Sequence, residues 1–315
     1  MPSSPGRPAR TASTGLVVVA LAALLAACGS GDGEAGGSAG RLRVQASFYP
    51  LQWMAEGVGG NLVEVSNLTD AGTEPHDLEL SPDDVAALAD ADVVAYLAGF
   101  QPAVDDAVAG SDATAFDAAE ATDLGLTYTP IEEGEQHDDE AGATDPHFWL
   151  DPVRFAEVTE AFAAALAEED PDNASTYERN AAEVVESLEA LDAELEAGLA
   201  DCARRDLVTS HNAFGYLADR YGFEQVGITG ITPEAEPSAG QLAEVSDFVR
   251  ANDVRTIYFE TLVSPDVAET VASEAGARTA VLDPIEGLGD DSEGDDYLEI
   301  MRANLASLRE GQPCP

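Results

Sequence analysis

The chain has 315 residues, with 61 acidic side chains against 14 basic ones, all arginine, for a formal net charge of −47. Removing residues 1–27, which carry Arg7 and Arg10 and no acid, takes the charge to −49. So strong a negative field makes nucleic acid and anionic lipid poor partners and raises the local cation concentration, although compositional bias or salt adaptation produces such a surface without any function.

Residues 1–27 read as a signal peptide: Arg7 and Arg10 precede an apolar run, Gly15 to Ala27, that falls short of the ~20 residues of a membrane span. Leu25-Ala26-Ala27-Cys28 resembles the bacterial lipobox, which implies lipidation of Cys28 and attachment to the membrane through it. Residues 28–40, rich in Gly, Ser and Ala, then form a lipidated tether. The expected location is the extracellular face of the cytoplasmic membrane, or the periplasm.

From Arg41 short apolar runs alternate with helical stretches. Leu42–Phe48, Val63–Val65 and Asp92–Leu97 read as strands; Pro50–Val58, Pro82–Ala89 and Pro102–Ala109 read as helices, the second with Ser81 as its cap. Another helix begins near Pro152. A long helix from about Pro171 to Ala200 carries Tyr177, Ala181, Val184, Leu188, Leu191, Leu195 and Leu199 on one face, a spacing of three and four. A coiled-coil partner is the alternative cover for that stripe, but the heptads are not sustained. Strands then return at Asp206–Ser210, Gln225–Ile228, Thr256–Phe259 and Thr279–Leu282, with helices over Phe214–Tyr221, Ala239–Asn252, Pro265–Ala275 and Tyr297–Arg309.

This pattern predicts an α/β fold of two Rossmann-like lobes with parallel sheets, joined by one long rigid helix, with the site in the cleft between lobes. The expected boundaries are 41–170 for the N-terminal lobe, 171–201 for the connecting helix and 202–315 for the C-terminal lobe. Outside the cytoplasm Cys202 and Cys314 are expected to form a disulfide, worth about 4–5 kcal/mol in the chain-entropy view.

Only four histidines are present, and three lie in distinct local contexts: His76 after Glu74-Pro75, His147 within Asp-Pro-His-Phe-Trp-Leu-Asp-Pro, and His211 in Ser-His-Asn-Ala-Phe-Gly-Tyr. Asp283 follows a strand in Leu-Asp-Pro-Ile-Glu. Three imidazoles and one carboxylate make a closed N3O shell that suits Zn²⁺. Glu74, or a water, is the alternative fourth donor. The fourth histidine, His137, lies in an acidic stretch at 132–140, where a charged loop with no metal role is the simpler reading.

These strings, with Pro233-Glu234-Ala235-Glu236-Pro237-Ser238 and Phe259-Glu260, resemble the zinc/manganese substrate-binding lipoproteins of bacterial ABC transporters over roughly Arg41 to Arg309. The resemblance implies His76, His147, His211 and Asp283 as metal ligands, with histidine at the third position pointing to zinc, and Glu260 as a group that orients a ligand imidazole. It implies zinc capture outside the membrane and delivery to an ABC permease and its ATPase by a monomer that is not an enzyme. Manganese or iron binding on the same fold is one alternative. An extracellular zinc hydrolase is another, although the chain has no His-Glu-x-x-His string.

Overall fold

β-branched and aromatic runs alternate with helices opened by proline or a capping side chain, and that rhythm sets the architecture. The structure, a computed structural model, describes residues 40–131 and 141–314. The expected signal peptide, the expected lipidation site Cys28 and the expected tether up to residue 39, and His137 with the acidic stretch 132–140, lie outside the described residues.

The first half runs β1 (Leu42–Ala46), α1 (Tyr49–Gly59), β2 (Val63–Asn67), α2 (Pro82–Ala89), β3 (Val93–Tyr96), α3 (Pro102–Ala109) and β4 (Thr114–Asp117). Two helices follow, α4 (Pro152–Glu169) and α5 (Ala174–Leu199). The second half runs β5 (Asp206–Thr209), α6 (Gly215–Tyr221), β6 (Glu224–Gly227), α7 (Ala239–Ala251), β7 (Thr256–Phe259), α8 (Asp266–Ala275), β8 (Arg278–Val281) and α9 (Tyr297–Gly311). Both sheets are parallel and share one strand order, β2-β1-β3-β4 and β6-β5-β7-β8. In such sheets the order reverses beside the first strand, which opens a crevice at the carboxyl ends. Here those crevices lie beyond Ala46 and Ala95 in one sheet, and beyond Thr209 and Tyr258 in the other.

Capping follows the sequence closely. Ser81 and Asp84 form a reciprocal capping box on α2, Ser238 and Gln241 form another on α7, and Asp151 caps α4. Each such cap is worth about 1 kcal/mol. Two features differ from expectation. Pro171–Asn173 make a separate 3₁₀ turn, so the long helix starts at Ala174. β4 is an unforeseen edge strand of four residues, two of them exposed, too short to show a pattern.

The apolar face of α5 is covered by the chain itself. It lies against α4, α1 and α9, and Tyr177, Ala181, Leu188, Leu191, Leu195 and Leu199 are all buried, with Val184 partly so. No coiled-coil partner is needed to cover this stripe. Because α1 belongs to the first half and α9 to the second, this one helix is common ground for both sheets. Cys202, just past α5, is paired with Cys314, just past α9. Among the described residues no helix is long and apolar enough to cross a membrane.

Candidate metal centre

Four elements deliver four side chains to one point. His211 directly follows β5, and His76 sits in the loop between β2 and α2. His147 caps a short 3₁₀ turn at Phe148–Leu150, ahead of α4. The fourth is Glu286, in the loop after β8. All four are buried, and their candidate ligand atoms lie within 4.8 Å of one another.

Glu286 is the hub of this group. Its Oε1 lies 3.1 Å from His147 Nε2, 3.2 Å from His211 Nε2 and 3.6 Å from His76 Nε2. Zn–N bonds of about 2.0–2.1 Å put the corners of a tetrahedron about 3.3 Å apart, so these spacings suit such an ion. The Nε2 atoms of His76 and His211 have no hydrogen-bond partner, nor does Oε2 of Glu286. Buried polar atoms left so are costly, and a cation among them would satisfy all of them together.

The opposite edges of two rings are fixed by carboxylates. Asp145 Oδ1 accepts from the backbone N–H of His147 at 3.0 Å and lies 2.7 Å from its Nδ1. Glu260 Oε1 lies 2.7 Å from Nδ1 of His211 and accepts from Ser210 Oγ at 2.9 Å. A proton held on Nδ1 reserves Nε2 of each ring, the atom that faces Glu286, for a metal once its own proton has left, the usual arrangement around a metal-binding imidazole. Glu260 can do this because it directly follows β7, the neighbour of β5.

Charge follows from that geometry. Burial disfavours the charged forms of His147 and His211, but the carboxylates of Asp145, Glu260 and Glu286 outweigh it and hold both above the ordinary histidine value, His211 well above. Burial likewise opposes ionisation of Glu286, yet the three imidazoles hold it well below the usual carboxylate range. Glu74 goes the other way. Burial, the charge of Glu286 and a hydrogen bond with Glu234 push it up to about 10. One Glu74 oxygen accepts from the His76 backbone at 2.9 Å, and the other stands 3.9 Å from His76 Nε2. At 3.9 Å from the nearest imidazole nitrogen, and outside the group of four atoms that converge, Glu74 is placed less well for the fourth position than Glu286.

Residues 44–311 match the family described as zinc-uptake complex component A, periplasmic. The chain belongs to this family. It is 38% identical over 295 residues to a zinc-binding protein AdcA of Streptococcus pyogenes serotype M6, covering 86% of this chain and 56% of that protein. The chain thus spans little more than half the length of the streptococcal AdcA proteins. It is 35% identical over 315 residues to the high-affinity zinc uptake system protein ZnuA of Bacillus subtilis, covering 94% of this chain and 97% of that one. Among solved structures, the laminin-binding protein Lmb of Streptococcus agalactiae superposes with a TM-score of 0.76 at 34% identity, over 86% of this chain and 99% of that one. The Zn(II)-bound ZnuA-like domain of Streptococcus pneumoniae AdcA gives 0.71 at 35% identity, over 87% and 99%.

Within this family fold the three expected histidines come together, and the expected aspartate does not join them. Asp283 Oδ1 accepts from Ile285 N–H at 2.8 Å, and Oδ2 accepts from Thr261 Oγ1 at 3.1 Å and Ser292 Oγ at 3.0 Å. Both oxygens are therefore engaged, by their own loop and by Thr261 in the loop after β7. The residue that reaches the imidazoles is three positions on, because Ile285 takes a positive φ of 59° and turns the chain. A β-branched residue rarely adopts that conformation, and such strain clusters at functional sites. Asp283 acts on Ile285, and Ile285 aims Glu286. Leu-Asp-Pro-Ile-Glu held both acids in sequence, but nothing in it revealed the turn.

The Asp-Pro-His-Phe-Trp motif braces the same loop from the other half of the chain. Trp149 Nε1 donates to Pro284 O at 2.7 Å, and Tyr297 OH donates to Trp149 O at 2.5 Å. The His76 loop has its own brace: Gln101 Nε2 donates to Pro75 O at 3.2 Å, and Phe100 meets the His76 ring edge-on at 4.6 Å.

Proposed function

We propose that this protein captures Zn²⁺ outside the cytoplasmic membrane and delivers it to an ABC permease driven by its ATPase, as a monomer held to the membrane by a lipid on Cys28. The ligand set is His76, His147, His211 and Glu286, with Asp283 as the residue that positions Glu286. The observation that carries this reading is the convergence of three imidazole Nε2 atoms on one carboxylate oxygen, at 3.1, 3.2 and 3.6 Å. Three nitrogens and one oxygen suit borderline-soft Zn²⁺ better than Mn²⁺, which favours more oxygen. Four protein donors also leave no corner for an activated water, which a zinc hydrolase requires. Support comes as well from the zinc-uptake family and from relatives named for zinc binding and zinc uptake. The lobes that hold the ion correspond to residues 41–170 and 202–315, with 171–201 between them.

The test is metal content. The protein purified from cells in metal-replete medium is analysed by mass spectrometry, alongside His211→Glu. One zinc per chain, lost or exchanged toward manganese in the variant, supports the reading. Manganese or iron in the wild type, or no change in the variant, overturns it.

A further inference from the structure

One face of α9 grips the loops of two metal ligands. Tyr297 and Asn304 are seven residues apart, two turns or about 10 Å along the helix, and both are buried. Tyr297 OH donates to Trp149 O at 2.5 Å, two residues past His147. Asn304 meets the loop that carries Glu286. Its Nδ2 donates to Asp283 O at 2.7 Å, and its Oδ1 accepts from Asp283 N–H at 2.8 Å.

An asparagine at this position runs against local preference. It is a poor residue for a helix interior, its neighbours on the buried face are Ile300, Met301 and Leu308, and it is 2% exposed. A buried carboxamide is costly unless its polar ends are bonded, and here both ends go to one residue. Bonds to both the N–H and the C=O of Asp283 fix the rotation of its main chain as well as its position. The topology creates the need. β8 is the edge of its sheet, and just past it Leu282 N–H still donates to Phe259 O at 2.9 Å. Asp283 comes next and has no further strand to pair with, so Asn304 supplies the missing neighbour.

The next two residues pass this placement on. Trp149 Nε1 donates to Pro284 O, and Ile285 N–H donates to Asp283 Oδ1, directly before Glu286. Trp149 is itself held by Tyr297, so α9 places both Glu286 and His147, whose Oε1 and Nε2 stand 3.1 Å apart.

We propose that Asn304 is a positioning residue for metal capture: it clamps the main chain of Asp283 to α9 and so holds the Glu286 carboxylate among the three imidazoles. The inference rests on the zinc-capture reading above, with Glu286 as a ligand.

A double-mutant cycle of Zn²⁺ affinity, measured on the full chain by chelator competition, tests it. The four proteins are the wild type, Asn304→Leu, Glu286→Ala and the double variant. Asn304→Leu removes both bonds at similar volume and is expected to weaken Zn²⁺ binding about 10–100-fold, the range for groups that hold a metal ligand. In the Glu286→Ala background the same change is expected to cost less than about twofold, because the carboxylate that Asn304 places is gone. An equal loss in both backgrounds would mean that Asn304 supports the fold without acting on Glu286, and overturns the proposal. So does an unchanged affinity in Asn304→Leu. Should Asn304→Leu fail to fold, Asn304→Asp decides by the same cycle and the same outcomes. It keeps the size and the acceptor for Asp283 N–H, and sets an oxygen against Asp283 O in place of the donor. Wild-type affinity in Glu286→Ala would overturn the ligand assignment and this role with it. A wild-type chain that binds no Zn²⁺ would instead refute the capture reading itself.

Discussion

Gly215 sits so close to Asp145 that a β-carbon on it would stand 2.2 Å from Oδ2 of that carboxylate. The glycine of the His-Asn-Ala-Phe-Gly-Tyr string thereby makes room for the acid that holds His147, 68 residues before it in the chain. Tyr216 completes the contact, its OH donating to Asp145 O at 3.1 Å. Gly215→Ala must push Asp145 away from Nδ1 of His147, and groups that orient a ligand imidazole typically govern about 10–100-fold in metal affinity. Chelator competition at neutral pH should show a loss in that range. Unchanged affinity would mean that His147 needs no carboxylate to hold it.

Glu286 and Asp283 make separable predictions. Glu286→Gln removes the charge that all three imidazoles face, and Zn²⁺ affinity is expected to fall more than about 100-fold, beyond the usual effect of a supporting residue. Asp283→Asn keeps an oxygen to accept from Ile285 N–H and should cost about 10-fold or less. Isothermal titration of both variants decides between the two acids. If Asp283→Asn proves the more damaging, Asp283 and not Glu286 is the ligand.

Protons and metal compete for the same Nε2 atoms. Burial opposes the charge on His147 and His211, but neighbouring carboxylates hold both above the ordinary value, so each stays protonated to a higher pH in the metal-free fold. The stability this gives the metal-free protein is fully present below the unfolded histidine value of about 6.5. It is lost as pH rises through the raised folded values. Metal binding runs the other way, because an ion must displace those protons, and affinity therefore strengthens as pH rises through that window. The gap in Tm between zinc-loaded and metal-free protein should widen from about pH 5.5 to about pH 8. A constant gap would mean that no histidine proton is displaced.

The fold was legible because two independent signals agreed along most of the chain. The apolar stripe from Tyr177 to Leu199 keeps one helical spacing, strands such as Thr256–Phe259 are buried runs of β-branched and aromatic residues, and Ser81 marks the start of α2. β4 was not legible, since four half-exposed residues carry no period. In the site the three histidines were legible by their rarity and local context. Glu286 was not, because its approach depends on the backbone of Ile285, a tertiary choice fixed by Asp283, Trp149 and Pro284. The supporting carboxylates split the same way: Glu260 follows a readable strand, whereas Asp145 is recognisable only once Gly215 is seen beneath it.

The brace between α5 and α6 gives a prediction independent of metal. Arg220 donates from Nε and Nη2 to the two oxygens of Asp192, each at 2.6 Å, and Tyr221 OH donates to Asp192 at 2.8 Å. Arg220 also lies 3.4 Å from Asp151, the cap of α4, so one guanidinium joins three helices. The hydrogen bonds from Arg220 outweigh burial and hold Asp192 below the usual carboxylate range. With the folded value depressed, its contribution is present above the unfolded carboxylate value of about 3.9. It is lost as pH falls through the lower folded value. Arg220→Met keeps most of the side-chain packing and should cost about 2 kcal/mol at neutral pH, the scale of charge-assisted bonds in a partly exposed setting. Urea unfolding of metal-free protein at neutral pH and near pH 3 measures both halves of the claim. The deficit of the variant should shrink in acid. A deficit independent of pH would assign the loss to packing of the arginine stem rather than to its bonds with Asp192.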